Sequence, residues 1–405
     1  MPQDIPINAF PEGWQINPEV RHIQPSVIRE ILKVASQPGV ISFAGGLPAP
    51  ELFPRTELQQ IAAQVIEKYV PDCLQYSLSQ GVVPLRTLLA ERAAQRGTPS
   101  TAANIIITTG AQQGLELVAR AFLQPGDYIL TENPTYVGAL QAFNFYGAKY
   151  TTVDMDEHGM LVDQVEKSIK VHRPKFIYVV PTFQNPTGIT MSLERRQALC
   201  KIAETHQIPL IDDSPYGDIR FAGTNLPSIK SIGGDFVIAL RTFSKTMTPG
   251  LRVGWINASA SFVVLLERVK QFTDLHSSSF TQYLVYEYMR QGLLEPHIAL
   301  IKADYLNKRN LMIKTLEETF PKGIKWTNPE GGLFLWLTLP KQMAAEELFH
   351  KALEIKVAYV PGASFHPNGG GSNTLRLNFS NATPEMIVEG ITRLGKLFRE
   401  NMPAV

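Results

Sequence analysis

A lysine that follows a predicted buried strand is the residue of this sequence with the clearest chemical potential. The apolar run at residues 236–240 predicts a strand inside the fold, and Lys245 comes shortly after it. Open α/β sheets bind ligands at this end of their strands, and a lysine held there can form a Schiff base with a carbonyl compound. Thr242, Ser244 and Arg252 could bind a phosphate beside it. A single loop lysine is more often only solvated, so this interpretation depends on the motifs upstream.

Polar residues also follow two earlier predicted strands. Asn185 lies in an Asn-Pro-Thr-Gly turn after the strand predicted at residues 176–180, and the turn aims its amide into the crevice beyond the sheet. Asp213 follows the strand predicted at residues 208–211. A carboxylate buried at a strand end needs a cationic or hydrogen-bonding partner. The simpler alternatives are a plain turn at Asn185 and a turn-capping role for Asp213.

A third polar site is predicted where a helix begins. The strand predicted at residues 105–108 is followed by Gly110, Ala111 and Gln112, which open a helix with an apolar core face. The first N–H groups of a helix and its positive dipole end attract phosphate groups. Many strand–glycine–helix junctions bind nothing, so this signal is weak by itself.

The sequence around the lysine resembles a known family. The pattern Ser-Lys-x-x-x-Pro-Gly-Leu-Arg-x-Gly at residues 244–254 is similar to the cofactor-lysine motif of fold-type-I, pyridoxal-phosphate-dependent aminotransferases. It most resembles the branch that includes 2-aminoadipate and kynurenine aminotransferases. The resemblance extends from about residue 24 to the C-terminus, and it implies that pyridoxal phosphate is bound covalently by Lys245.

The resemblance also implies roles for the other residues. Asp213 would keep the pyridine nitrogen protonated, Tyr216 and Asn185 would stabilise the 3′ oxygen, and Tyr136 would stack on the pyridine ring. Asp213 and Tyr216 keep the Asp-x-x-Tyr spacing of the family, and with Lys245 they form the predicted catalytic set. The residues that would hold the phosphate are Gly110, Ala111, Gln112, Thr242, Ser244, Arg252 and Tyr76 of the partner subunit. The last of these implies a homodimer with shared active sites.

Substrate contacts are implied at four positions. Arg376, on a predicted strand at residues 375–379, would hold the substrate α-carboxylate together with Asn185, and Gly46 would lie beside that carboxylate. Arg29, on a short predicted helix at residues 25–34, would meet the distal carboxylate of acidic substrates. Without the resemblance, Arg376 fits an outward-facing arginine, Gly46 a simple turn, Arg29 a surface pair with Glu30, and Tyr76 and Tyr136 ordinary loop or core aromatics.

These residues need an α/β fold to bring them together. From residue 104 onward, predicted strands and helices alternate, which is typical of a mainly parallel sheet. The resemblance implies a large domain with a seven-stranded sheet flanked by helices, plus a smaller α+β domain. We predict an arm at residues 1–24, part of the small domain at 25–50, the large cofactor-binding domain at 51–295 and the rest of the small domain at 296–405. One long helix within residues 282–318 is expected to connect the domains.

Composition limits the possible partners. The chain has 405 residues with 38 basic and 37 acidic side chains, so its net charge is +1 and no charge block indicates binding to nucleic acid or a membrane surface. The two cysteines form no disulfide framework and no metal-ligand pattern, which favours a reducing cytoplasm and predicts no metal. No apolar run has the length of a membrane span, and the N-terminal residues do not have the pattern of a secretory signal.

The predicted function is therefore transfer of an amino group between an L-amino acid and a 2-oxo acid, with 2-oxoglutarate and glutamate expected as one pair. The amino-acid range is expected to include 2-aminoadipate, aromatic or aliphatic substrates. Another activity on the same cofactor, such as that of a lyase or decarboxylase, is an alternative. A ligand-sensing domain of a transcription factor is a second alternative, although only about 25 residues precede the resemblance, too few for a DNA-binding domain.

Overall fold

The computed structural model describes residues 14–15, 31, 33 and 37–403, and strands and helices alternate along much of this part of the chain. In chain order the strands are β1 (Ile41–Ser42), β2 (Ile105–Thr108), β3 (Tyr128–Asn133), β4 (Lys149–Asp156), β5 (Gly159–Met160), β6 (Ile177–Val179), β7 (Leu210–Asp213), β8 (Val237–Thr242), β9 (Gly254–Asn257), β10 (Lys325–Trp326), β11 (Phe334–Thr338), β12 (Val357–Ala358), β13 (Val360–Pro361) and β14 (Thr374–Asn378). The α-helices are α1 (Arg55–Cys73), α2 (Val83–Gln95), α3 (Ala111–Phe122), α4 (Val137–Asn144), α5 (Val165–His172), α6 (Leu193–His206), α7 (Ile229–Gly233), α8 (Ala260–Gln271), α9 (Ser279–Arg290), α10 (Leu294–Thr319), α11 (Ala345–Glu354) and α12 (Pro384–Glu400).

The large sheet is mainly parallel, as predicted. Within the described residues its order is β2-β9-β8-β7-β6-β3-β4-β5. The five strands from β8 to β4 pair in parallel, whereas β9 is antiparallel to both of its neighbours. The expected seven strands are β2, β3, β4 and β6 to β9. The eighth, β5, has two residues and pairs antiparallel with the end of β4, which is too short a segment to produce a hydrophobic period.

Successive residues of the central strands pack into two different cores, one on each face of the large sheet. Ile211 and Ile238 pack with helices α3 and α8. Their neighbours Leu210 and Val237 pack on the other side with helices α5 and α6. Because helices cover both faces of the sheet, the sequences of these strands are continuous apolar runs. The alternation also means that Asp212 and Asp213 project to opposite faces of β7.

A second sheet lies in the C-terminal part of the chain. Its order is β10-β11-β14-β13, with every pairing antiparallel, and its core also includes residues near the start of the described chain, such as Ile41 and Phe43. The structure divides the helical stretch at residues 282–318 between α9 and the 26-residue α10, with Gly292 at a φ of 72° between them. The domain boundaries given above stay a prediction.

Candidate active site

Lys245 lies in the turn between β8 and β9, at the end of the sheet where the sequence predicts it. Its Nζ donates a hydrogen bond of 2.7 Å to the Gly46 carbonyl, so two predicted site residues that are far apart in sequence meet here. Burial, together with the nearby Arg376 and Arg252 guanidinium groups, lowers the pKa of Lys245 to about 8. A substantial fraction of the lysine is therefore neutral near pH 8, which suits a nucleophile or a proton acceptor.

Asp213 is the last residue of β7, and its side chain is almost completely buried. Its Oδ2 accepts a hydrogen bond of 2.8 Å from the Tyr178 hydroxyl. Its Oδ1 is buried and has no hydrogen-bond partner among the described residues. Burial raises the pKa of Asp213 to about 7, because an isolated carboxylate is poorly solvated there. The carboxylate thus has one oxygen fixed and the other available to a cationic donor.

Arg376 lies on β14 and is buried between two aromatic rings. Its guanidinium carbon is 4.2 Å from the centroid of the Phe334 ring and 5.1 Å from that of Phe365. Nη1 donates 2.7 Å to Asn185 Oδ1, and Nη2 donates 2.7 Å to the Ala44 carbonyl. The buried Nε has no partner in the described part of the chain. Each terminal nitrogen is therefore fixed through one N–H, which leaves the Nε–H and the second N–H of each terminal nitrogen for a carboxylate.

Tyr216 follows β7 and packs edge-to-face on Phe334, with ring centroids 5.8 Å apart. Burial raises its pKa, and contact with Asn185 partly opposes the rise. Because Asn185 also accepts from Arg376, these three predicted residues form one cluster with Phe334.

The predicted phosphate residues surround the start of α3. Gly110 precedes this helix with a φ of 76°, and a Cβ at this position would overlap the Arg252 guanidinium. Arg252 Nη2 donates to the Thr109 carbonyl at 3.3 Å, so the guanidinium lies against the helix entrance. Thr242 Oγ1 donates 2.9 Å to Ser244 Oγ, which joins the two hydroxyls. The first N–H groups of α3, including those of Ala111 and Gln112, have no acceptor within the helix.

For the remaining predicted site residues the structure gives fewer contacts. The half-buried Tyr136 precedes α4 and has its pKa raised by burial and by the Asp213 charge, so it lies within electrostatic range of Asp213. The Gln112 side chain donates to the Gly138 carbonyl at 3.0 Å, which leaves its backbone N–H for a ligand. Tyr76 is 79% exposed and contacts His276 edge-on. Arg29 lies outside the described residues.

Several contact residues were not predicted from the sequence. Tyr178 donates a hydrogen bond to Asp213. The sequence feature that could have indicated this role is a hydroxyl-bearing side chain within an otherwise aliphatic strand. Glu132, on β3, is 1% exposed, and burial raises its pKa to about 8. Its Oε2 accepts from the Val180 N–H at 3.0 Å and from Gln184 Nε2 at 3.3 Å, so it braces the turn that carries Asn185. The sequence feature that could have indicated Glu132 is an ionisable residue that continues an apolar strand.

Similarity to known proteins identifies the family of this chain. The sequence model of the family described as aminotransferase class I and II matches residues 52–394. The chain belongs to the class I and II aminotransferases. It is 42% identical over 387 residues to aromatic-amino-acid aminotransferase 1 of Thermococcus litoralis, covering 94% of this chain and 93% of the relative. It is 41% identical to 2-aminoadipate transaminase of Thermus thermophilus, covering 93% of this chain and 94% of the relative.

A solved structure supports the same family assignment. The kynurenine aminotransferase of Pyrococcus horikoshii, in complex with PMP, matches with a TM-score of 0.93 and 39% sequence identity over 96% of this chain and 98% of that one. The chain is thus an aminotransferase with pyridoxal phosphate as cofactor and the fold that the sequence predicts. Of the activities left open by the sequence, aminotransfer is the one that these relatives carry.

Two observations indicate that the residues present fit this cofactor. Asp213 Oδ1, which is buried and has no partner in the described part of the chain, can accept a hydrogen bond from a pyridinium N–H. The absence of a side chain at Gly110 lets Arg252 and the start of α3 converge, which makes a cradle for a phosphate. Among the described residues, no cluster of His, Cys, Asp and Glu could hold a metal ion. No helix in this part of the chain has the length and hydropathy to cross a membrane.

Replacing Arg376 by lysine in this aminotransferase is expected to raise KM for amino and oxo acids by about 10–100-fold with a smaller change in kcat. A planar fork that holds a carboxylate through two hydrogen bonds would become a single ammonium contact, a loss of about 1.5–3 kcal/mol. Steady-state kinetics of both half-reactions would measure this. Arg393→Lys on α12, where the arginine pairs with Glu389, is the matched control. An unchanged KM in the Arg376 variant would remove this residue from the substrate site.

Proposed function

We propose that this aminotransferase exchanges amino groups between glutamate, with 2-oxoglutarate as its oxo acid, and a range of amino acids that includes 2-aminoadipate and aromatic or aliphatic side chains. The proposal rests on one observation above all: the buried Arg376 Nε has no partner among the described residues, while Asn185 and Ala44 accept from the two terminal nitrogens. This arrangement selects the α-carboxylate that every amino acid shares. The names of the relatives support the range, since they include aromatic-amino-acid, 2-aminoadipate and kynurenine enzymes.

Each residue has a task in this reaction. Bound pyridoxal phosphate supplies the electron sink that stabilises negative charge at the substrate Cα. Asp213 would hold the pyridine nitrogen in its charged form, while Tyr178 fixes Oδ2. Lys245 binds the cofactor and then moves a proton from the substrate Cα at close range, for which a pKa of about 8 is suited. Arg376 and Asn185 orient the substrate carboxylate, and the α3 entrance with Thr242, Ser244 and Arg252 holds the phosphate.

The test is a panel of amino donors with 2-oxoglutarate as acceptor. Purified holoenzyme should convert 2-aminoadipate and at least one aromatic or aliphatic amino acid, with glutamate formed in equal amount. Measurement of both products separates transfer from simple deamination. Turnover that releases ammonia or carbon dioxide without glutamate would contradict the proposal.

We also propose that the enzyme is a homodimer with shared active sites, in the cytoplasm. The segment before α2 exposes three large apolar side chains, Leu74 at 65%, Tyr76 at 79% and Leu78 at 55%, and such a run favours a covering partner. A second copy would cover it and bring the partner subunit's Tyr76 to the phosphate. Cys73 and Cys200 are buried and not in a disulfide, which suits a reducing compartment.

Tyr76→Phe is expected to leave the dimer mass unchanged and to weaken cofactor binding by about 10-fold, because one hydrogen bond to a charged phosphate is lost. Light scattering would give the mass, and cofactor release in dilute protein would give the affinity. Tyr286→Phe, on α9, is the control. A fully active monomer in solution would end the shared-site proposal.

Arg29 is proposed to pair with the distal carboxylate of acidic substrates. Arg29→Ala is expected to lower kcat/KM for 2-aminoadipate and glutamate through the loss of about 1.5–3 kcal/mol of charge-assisted binding, and to spare neutral substrates. Steady-state kinetics on both substrate classes would measure this. Equal losses for both classes would show that Arg29 serves the fold instead of the choice of substrate.

A further inference from the structure

A cavity of about 730 Å³ lies beside the candidate active site. Its lining includes Ala239 and Arg241 of β8, which point to the opposite face of the large sheet from Leu240. It also includes parts of α2, α6, α7 and α10. Of the predicted site residues, the described lining contains Thr242 and none of the others. The cavity therefore adjoins the candidate active site at Thr242 but is lined mainly by other residues.

Positive charge is concentrated in this cavity. Of its described lining residues, seven are arginine or lysine and two are aspartate or glutamate. The whole chain, by contrast, carries 38 basic and 37 acidic side chains. The basic residues are Arg92, Arg96, Arg196, Arg220, Lys230, Arg241 and Lys302, and the acidic ones are Asp218 and Glu295. A concave wall with one sign of charge raises the local concentration of counter-ions.

Four of the seven cations have carboxylate partners. Arg92 and Arg96 on α2 share Asp218 and Glu295, in a cluster of two positive and two negative charges. Arg220 pairs with Glu330.

Arg241 on β8 donates to the buried Asp212 at 2.7 Å, and Ser214 also donates to Asp212 at 2.6 Å. These four cations are balanced by the protein itself.

The other three cations make no salt bridge in the described part of the chain, although Asp212 attracts Arg196, and Asp212 and Asp235 attract Lys230, at longer range. Arg196 and Lys230 are 2% and 6% exposed, and they donate to backbone carbonyls and, for Arg196, to the Thr182 hydroxyl. Lys302, on the first half of α10, lines the same cavity. For none of these three do the described residues supply a carboxylate within 4.0 Å. Burying a cation without a carboxylate in direct contact is costly, so the buried Arg196 and Lys230, together with the half-buried Lys302 on the same cavity, favour an additional anion.

We propose that this cavity is a second ligand site, which binds a small anion of two or three negative charges, such as a phosphate ester or a polycarboxylate. Phosphate and carboxylate oxygens match the donors of guanidinium and ammonium groups. An anion there would offset the charges of Arg196, Lys230 and Lys302. The ordinary alternative is that these cations serve only to hold loops. That explains the carbonyl contacts of Arg196 and Lys230, but it does not explain why Lys302 lines the same cavity without a salt bridge to any described residue.

Calorimetric titration of the holoenzyme with inorganic phosphate and, separately, with citrate tests the proposal. At low ionic strength we expect one anion per chain in addition to any bound at the active site. Lys302→Met should weaken this binding by about tenfold or more, because one charge-assisted contact is lost. Glu295→Gln should strengthen it, since a carboxylate that competes for Arg92 and Arg96 is removed. Tighter phosphate binding would indicate a phosphate ester, and tighter citrate binding a polycarboxylate.

Lys341→Met, at an exposed loop position, makes the same change in net charge and is the matched control. Both methionine variants should keep the wild-type kcat/KM without added anion. A crystal of the holoenzyme with selenate should show its anomalous signal between Lys302, Lys230 and Arg196. The proposal is overturned if no anion binds beyond the active site, if Lys302→Met binds as tightly as wild type, or if Lys341→Met weakens binding equally.

Discussion

Replacing Lys245 by alanine is expected to lower kcat by at least about 10³-fold, because covalent attachment of the cofactor and close-range proton transfer are lost together. The surroundings of this lysine support a role in proton transfer. Burial and two nearby guanidinium groups bring its pKa to about 8, so the neutral amine is accessible near physiological pH. Single-turnover kinetics with an amino donor would measure the loss. Borohydride reduction of the wild-type enzyme, followed by peptide mapping, should place the pyridoxyl group on Lys245.

Two further variants define what the lysine does. Lys245→Arg keeps a positive charge but cannot take up a proton, so it should be as impaired as the alanine variant if proton transfer matters. Lys341→Ala, at an exposed loop position, should keep wild-type activity. A pyridoxyl label on another lysine, or an alanine variant with near-normal kcat, would reject the assignment.

Asp213→Asn is expected to lower kcat by about 10²–10⁴-fold, because breaking a buried charge pair costs about 3–5 kcal/mol. An asparagine has nearly the same shape but cannot balance a protonated pyridine nitrogen. Spectroscopic pH titration of the bound cofactor would show the change directly, and stopped-flow kinetics would give the effect on the proton-transfer step.

Tyr178→Phe is the graded comparison for this prediction. It keeps the Asp213 carboxylate and removes the 2.8 Å hydrogen bond to Oδ2. Because that bond holds the pKa of Asp213 down, its loss should raise the pKa and reduce kcat by less than the asparagine variant does. A larger effect of Tyr178→Phe than of Asp213→Asn would mean that the tyrosine, and not the carboxylate, acts on the cofactor.

Local patterns were sufficient to predict much of the fold. The apolar runs at residues 105–108 and 128–131 lie within strands of the large sheet, because short runs rich in branched side chains pack well on both faces of a parallel sheet. Boundaries were less accurate. The run at residues 208–211 extends to Asp213, since a carboxylate can occupy a strand end when a partner such as Tyr178 is supplied from another strand.

The sequence by itself determined which residues stand at the carboxyl ends of the strands, because a hydrophobic run followed by polar residues is a local property. It thus placed Asn185, Asp213 and Lys245 at one edge of the sheet before any pairing was known. Together with the family motif, this was enough for the cofactor and the reaction class.

Only the tertiary structure decided which groups touch. Arg376 meets Asn185 and Ala44 across 191 and 332 residues, and Lys245 meets Gly46 across 199. Such contacts depend on strand order and on how the second sheet lies against the first, which no local pattern contains. The cationic cavity has the same origin: its charges come from α2, α6, α7, β8 and α10, and their excess is visible only when these elements are packed together.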